Sequence, residues 1–165
     1  MKVVPKVFIL DVDGILTDGG FYYSEDGKVL KKFGPDDNDA LKILEKYIEI
    51  RFVSGDKRGF PISQKRVEDM GFKIDLVSTS KRIEWIKEKY NPSEVIYMGD
   101  GIFDSIVMKE VAYSIATSDS DEFAQKAASY VTKRIGGHRA VAEASLHIMD
   151  KFFEKHSPLK EEHNV

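Results

Sequence analysis

The sequence predicts a doubly wound parallel α/β sheet, and three observations carry the prediction. Short strand-like runs recur at Val7 to Leu10, Ile48 to Val53 and Val95 to Met98, the first of them wholly apolar. Such runs, too short for helices and rich in β-branched and aromatic side chains, are strands covered on both faces. Segments with helical spacing of apolar residues separate them, joined by short connections, which is the alternation of a parallel sheet. Each run also ends abruptly in polar residues and glycine: Asp11-Val12-Asp13-Gly14, Ser54-Gly55 and Gly99-Asp100-Gly101. Ligands of open α/β sheets sit beyond the carboxyl ends of the strands, so these groups face the expected crevice.

The elements follow in order. After the first strand, Asp18-Gly19-Gly20 is expected to break the chain, and a hairpin insertion at about 20–33 pairs Phe21 to Ser24 with Lys28 to Phe33 around Glu25-Asp26-Gly27. Gly34-Pro35 ends it. Asp36 to Asn38 are placed to cap a helix whose Ala40, Leu41, Ile43, Leu44 and Tyr47 share one face. A strand over 48–53, a helix over 61–70 closed by Gly71, a strand over 74–77 and a helix over 81–90 stopped by Asn91-Pro92 come next. Strand 95–98, helix 103–109, strand 111–116, helix 120–127, strand 129–132 and helix 138–154 complete the pattern. Residues 1–155 read as one domain, and His156 to Val165 as a frayed charged tail.

Composition narrows the function. With 165 residues the chain can bury a sizeable core, and 42% apolar against 32% charged residues is ordinary for a globular domain. A net charge of -3 gives no electrostatic reason to expect nucleic acid or an anionic membrane as partner. There is no cysteine, hence no disulfide, thiolate zinc site or cysteine nucleophile, and the four histidines show no zinc spacing. No apolar run approaches a membrane span and the N-terminus has no signal-peptide core, so a cytoplasmic protein is the default. Lys31-Lys32 and Lys57-Arg58 read as solvated basic pairs, His147 as helix surface, and Trp85 and the tyrosines as core or interface.

Two carboxylates at one strand tip repel unless a cation lies between them, and Mg²⁺, a hard ion that takes carboxylates, carbonyls and substrate phosphate, suits them. A parallel fold gathers Asp11, Asp13, Ser54 and Asp100 along one edge, with Lys81 in a nearby loop. Each has work to do on a phosphate monoester. A carboxylate can attack phosphorus to form an aspartyl-phosphate, and a second acid two residues on can protonate the leaving alcohol and then accept a proton from water. Mg²⁺, the Ser54 hydroxyl, Lys81 and N–H groups near Gly14 and Gly55 would meet the phosphoryl oxygens. Asp100 completes the metal shell.

On Asp11-Val12-Asp13-Gly14 and Gly99-Asp100-Gly101-Ile102-Phe103-Asp104 the sequence resembles the haloacid dehalogenase superfamily of phosphohydrolases, with its initial DxDG and its late GD followed by another Asp. The resemblance extends over nearly the whole chain through Asp26-Gly27 to Phe33, Ser54-Gly55 and Ile135-Gly136-Gly137. It is nearest to the small capless branch of 3-deoxy-D-manno-octulosonate 8-phosphate and nonulosonate 9-phosphate phosphatases and the cytidylyltransferase-linked domains. It implies a Rossmann-like sheet without a cap domain and a small-molecule phosphate ester as substrate, a phosphorylated 2-keto acid sugar. Asp11 is then the nucleophile and Asp13 the acid/base. Ser54, Gly55 and Lys81 bind phosphate. Asp11, the Asp13 carbonyl and Asp100 hold Mg²⁺, and Asp104 supports them.

Departures from that branch bear on specificity. Asp36 stands where an Arg is usual, Asp56 where the octulosonate enzymes have Arg, His138-Arg139 within a Gly-Gly-Arg-Gly run, and Gly101 for a second Asp. Negative charge at Asp36 and Asp56 is expected to disfavour octulosonate 8-phosphate. Two other readings compete: a phosphoacceptor receiver-like domain, whose acids would lie on different strands, and a non-catalytic assembly module, which has no need of Asp13. The hairpin carries Phe21, Tyr22, Tyr23, Val29, Leu30 and Phe33, too much apolar surface for a lone ribbon. By resemblance, hairpins of four subunits pool it in a homotetramer.

Overall fold

The computed structural model describes residues 4–157. Six strands form one parallel sheet: β1 (Val7–Asp11), β4 (Glu49–Ser54), β5 (Lys73–Leu76), β6 (Val95–Met98), β7 (Tyr113–Ala116) and β8 (Tyr130–Val131), in the order β5-β4-β1-β6-β7-β8. The chain runs outward from β1 through β4 to β5, crosses back to β6 on the other side of β1, and continues to β8. The order therefore reverses between β1 and β6, where such sheets open a crevice at their carboxyl edge. Phe8 pairs with Ile50 on one side and Ile96 on the other, which leaves β1 no free edge.

Alternation along the strands divides the core in two. Phe8 and Leu10 join Phe52, Ile96 and Met98 beneath α1 (Asp36–Leu44), α2 (Phe60–Asp69) and α6 (Ala140–Phe152). Val7 and Ile9 join Val53, Val95 and Tyr97 beneath α3 (Arg82–Lys89), α4 (Asp104–Met108) and α5 (Glu122–Ala127). Each fully buried aliphatic or aromatic side chain in these layers is worth about 1.5–3 kcal/mol. Among the described residues no helix is long and apolar enough to cross a membrane.

The hairpin stands apart as a two-stranded antiparallel ribbon of β2 (Thr17–Ser24) and β3 (Gly27–Phe33). Asp18-Gly19-Gly20 does not break the chain as expected. It lies inside β2, where Thr17 pairs with Phe33 and Phe21 with Lys31, so β2 holds two extra residues there and Gly19 takes up φ 79°. A second bulge leaves Val29 unpaired, since Tyr22 faces Leu30 and Tyr23 faces Lys28.

Local capping also differs from expectation. No side chain of Asp36 to Asn38 caps α1; the helix follows Pro35, and Asp36 and Asp37 lie in its first turn. Asp37 is buried and reaches the far end of the chain, accepting from Ala142 N at 2.9 Å near the start of α6, a favourable place for a carboxylate. His147 is half-buried rather than surface, its ring stacked 3.8 Å from that of Tyr130 and hydrogen-bonded to Tyr113 Oη at 2.8 Å. The predicted tail lies, beyond residue 157, outside the described residues.

Candidate active site

Of the acids expected at the strand tips, Asp11 and Asp100 meet at the β1/β6 crevice, joined by Asp104. Asp11 closes β1, 9% exposed, and its Oδ1 accepts from Val12 N at 2.8 Å. Asp100 follows β6. The turn after Asp13 brings Gly14, with φ 80°, so close that a Cβ there would lie 2.0 Å from Asp100 Oδ2; only glycine admits both the backbone conformation and the carboxylate. Thr17 Oγ1 accepts from Gly14 N and Gly19 N at 3.2 Å and holds the turn. Ser54 closes β4 fully buried, its Oγ accepting from Asp56 N at 3.2 Å, and the exposed Gly55 follows.

A buried arginine organises the acids. Arg82 Nη1 lies 3.0 Å from Asp11 Oδ2, 3.0 Å from Asp104 Oδ1 and 2.7 Å from Tyr97 Oη, and Tyr97 Oη donates to Asp104 Oδ1. Asp104 Oδ2 accepts from the N–H groups of Asp100 and Gly101 at 3.1 and 2.9 Å. Burial works against the Arg82 charge, but the facing Tyr97, Asp11 and Asp104 outweigh it and hold the guanidinium above its ordinary range. Burial likewise pushes Asp11 up to about 6, against the pull of Arg82 and with repulsion from Asp104. Asp100 is pushed up to about 8 by burial, then by Asp11 and Asp104.

Lys81, expected at the phosphate, is not brought to this cluster. Its side chain is 71% exposed and its Nζ lies 3.1 Å from Glu84 Oε2. The next residue, Arg82, turns inward instead. Nothing in the sequence separates the two neighbouring bases; an arginine opening a helix whose other inward residue is Ile86 was the available signal.

Asp13 meets the hairpin. Lys31 Nζ lies 2.7 Å from Asp13 Oδ1, 2.8 Å from Asp56 Oδ2 and 2.9 Å from Ser63 Oγ, and Lys28 Nζ also pairs with Asp56. Lys31 is thus buried, not solvated as expected, because these acceptors replace its water; Lys32 stays exposed near Asp18. Burial opposes ionisation of Asp56, yet hydrogen bonds from Lys28 and Lys31 hold it well below the usual carboxylate range. Asp36 is paired as well, with Arg139 Nε at 2.5 Å. The two acids expected to repel an acidic sugar are therefore each paired with a cation, Asp56 in a largely buried setting and Asp36 in an exposed one. Asp36, His138 and Arg139 line a cavity of about 290 Å³ with Gly34, Asp37 and Arg134, whereas Asp56 does not. That cavity flanks the catalytic turn, since Gly137 N donates to Ile15 O at 3.0 Å.

Asp11, Asp100 and Asp104 each offer an oxygen within 4.8 Å of the others, a set able to hold a metal ion. Burial, and after it repulsion between the acids, raises Asp11 and Asp100, and a divalent cation offsets both; three hard oxygen donors suit Mg²⁺. Asp104 has both oxygens engaged by Arg82, Tyr97 and backbone N–H groups, which leaves Asp11 and Asp100 the freer to face a cation.

Fold and site together define a hydrolase of the haloacid dehalogenase type: a DxDG-tipped central strand, an acidic cluster across the β1/β6 crevice, and no cap domain among the described residues. No family model matches the chain. It is 33% identical over 150 residues to 3-deoxy-D-manno-octulosonate 8-phosphate phosphatase KdsC of Escherichia coli, covering 84% of this chain and 76% of that one. The cobalt-bound form of the corresponding Haemophilus influenzae phosphatase superposes with a TM-score of 0.80 at 28% identity, over 91% of both chains. The Moraxella catarrhalis enzyme in complex with magnesium, phosphate and KDO gives 0.78 at 26% identity, over 88% of this chain and 86% of that one. The chain belongs to the 3-deoxy-D-manno-octulosonate 8-phosphate phosphatase family.

Proposed function

We propose that this protein is a Mg²⁺-dependent phosphatase that hydrolyses 3-deoxy-D-manno-octulosonate 8-phosphate through an aspartyl-phosphate. The observation that carries the reading is the convergence of Asp11 and Asp100 at the point where the sheet order reverses, with Asp13 two residues beyond Asp11. Mg²⁺, held by Asp11, the Asp13 carbonyl and Asp100, would supply positive charge against the phosphoryl oxygens.

The chain's own residues do the rest. An Asp11 oxygen attacks phosphorus, the phosphorus–sugar oxygen bond breaks, and the Asp13 proton passes to the departing oxygen. Water then attacks the aspartyl-phosphate while the Asp13 carboxylate takes its proton, which releases inorganic phosphate and regenerates the Asp11 carboxylate and the protonated Asp13. Arg82 fixes the Asp11 carboxylate through Oδ2, and Asp104 anchors Arg82. The Ser54 hydroxyl and the Gly55 N–H bind the phosphoryl group at the tip of β4. Pairing of Asp36 with Arg139 and of Asp56 with Lys28 and Lys31 lessens the repulsion expected for octulosonate and supports it as the substrate, with the cavity at His138 and Arg139 assigned to its sugar portion.

The exposed Phe21, Tyr22, Tyr23, Val29 and Leu30 support pooling of hairpins in a homotetramer, which would also cover the open site. Phosphate release from octulosonate 8-phosphate, abolished by EDTA and restored by Mg²⁺, tests the activity. Repeated turnover distinguishes it from a receiver, which labels itself once, and from an assembly module, which does neither. A purified protein that releases no phosphate from any acid-sugar phosphate in Mg²⁺ would defeat the reading.

A further inference from the structure

Lys31 belongs to the hairpin, outside the sheet, yet it touches the residue assigned to proton transfer. Its side chain is 0% exposed, and Asp13 Oδ1, Asp13 Oδ2, Asp56 Oδ2 and Ser63 Oγ surround its ammonium at 2.7, 3.0, 2.8 and 2.9 Å. An ammonium has three donors and no acceptor, so Lys31 has no donor left for a substrate oxygen. It is placed to act through Asp13 and not on the substrate.

The surroundings are shaped for this contact. Lys28 and Lys31, three apart, would fall on opposite faces of a regular strand; the bulge at Val29 brings both to Asp56. Gly59 backs them so closely that a Cβ there would lie 2.2 Å from Asp56 Oδ2 and 2.7 Å from Lys31 Cε, while its N–H donates to Asp56 Oδ1 at 3.1 Å. Burying an ammonium is costly unless its donors are met. Here α2, through Ser63, and the β4–α2 loop, through Asp56, meet two of them, and Asp13 receives the third. Asp13 keeps 28% of its side chain exposed.

We propose that Lys31 is the positioning residue of the acid/base carboxylate, holding Asp13 so that its free face meets the leaving oxygen; the seating of the hairpin on α2 then governs protonation of the leaving group. This rests on the phosphatase reading above, with Asp13 as the proton donor. During formation of the aspartyl-phosphate, a sugar alkoxide needs that proton as its bond to phosphorus breaks, whereas 4-nitrophenolate departs without one. Because kcat/KM reports this first step, the two esters separate positioning of Asp13 from everything else Lys31 could affect.

In saturating Mg²⁺, Lys31→Met is expected to lower kcat/KM for octulosonate 8-phosphate by about 10²-fold, the low end of general acid catalysis, and for 4-nitrophenyl phosphate far less. Lys31→Arg should recover part of the loss, and in an Asp13→Asn background Lys31→Met should add no ester-selective effect. Ser63→Ala keeps the charge and removes one acceptor; an ester-selective loss of about 5-fold, of the order of one hydrogen bond, is expected and decides the matter even where Lys31→Met does not fold. Equal losses on both esters, or none, would overturn the assignment. A wild-type protein inactive on both esters would instead overturn the phosphatase reading and this assignment with it, and an active wild type whose Asp13→Asn variant loses both esters equally would remove Asp13 as the donor.

Discussion

Strand β1 and the hairpin that follows it bury opposite kinds of residue. In β1, Val7, Phe8, Ile9 and Leu10 are all inside and the charge stands at the tip. In the hairpin, Tyr22 and Leu30 are 65% and 60% exposed while the Lys31 ammonium is inside. The sheet interior is governed by apolar burial from both faces. The ribbon has one face toward Asp13 and Asp56, where carboxylates need cations, and one toward solvent, where Phe21, Tyr22 and Tyr23 stay exposed among the described residues. Burial in this molecule therefore follows what lies opposite each face, and the hairpin is charged inside because the active site is its neighbour.

Substitutions can break that contrast, and the largest effect is expected at the strand tip. Asp11→Asn should lower turnover by at least about 10⁴-fold, the upper range for a group taking part directly in bond making. Phosphate release under single-turnover conditions checks it, and near wild-type kcat would reduce Asp11 to a ligand.

Next comes the buried arginine. Arg82→Leu leaves Asp11 and Asp104 without their cation and should cost about 3–5 kcal/mol of stability, as for other buried pairs broken from one side. Lys81→Ala, at a 71% exposed residue, should change stability by about 0.5 kcal/mol or less. Urea denaturation of both variants measures the difference. Should Lys81→Ala abolish turnover while Arg82→Leu stays stable and active, the inward role would return to Lys81.

The third test uses pH. Burial raises Asp11 to about 6 and Asp100 to about 8, above the ordinary 3.8. A carboxyl whose pKa is raised on folding contributes stability below its unfolded value and loses it as pH rises through the folded one. Metal-free protein should therefore lose this contribution between about pH 4 and 8, and the melting shift given by Mg²⁺ should grow over the same interval. A Mg²⁺ shift independent of pH would show that these carboxylates do not face the ion.

Little effect on stability of the subunit is expected on the outer face of the ribbon. Tyr23→Lys with Leu30→Lys should leave each folded subunit within about 1 kcal/mol of wild type, since exposed positions contribute little, yet convert the proposed tetramer to inactive monomers. Light scattering and phosphate release decide it; a wild-type monomer with full activity would remove the assembly from the reading.

Local pattern carried much of this protein. An apolar run that stops at Asp11, another that stops at Asp100, and Ser54 at the end of a third can be read without tertiary information. Burial on both faces fixes the strand type, and a strand tip has one place to go in a parallel sheet. The helices between them were legible for the same reason, to within a few residues at each end.

Which charged side chain turns inward was decided only by tertiary structure. Lys81 and Arg82 differ by about 100° around a helix axis, and the docking of α3 under β6, not composition, chose Arg82. Lys31 became a buried group because Asp13, Asp56 and Ser63, remote from it in sequence, converge on its ammonium, and Asp37 found its donor at Ala142, far along the chain. A periodic apolar pattern specifies which face of an element is covered. The partner of a buried charge depends on distances between elements remote in sequence, and those distances exist only once the sheet has closed around its core.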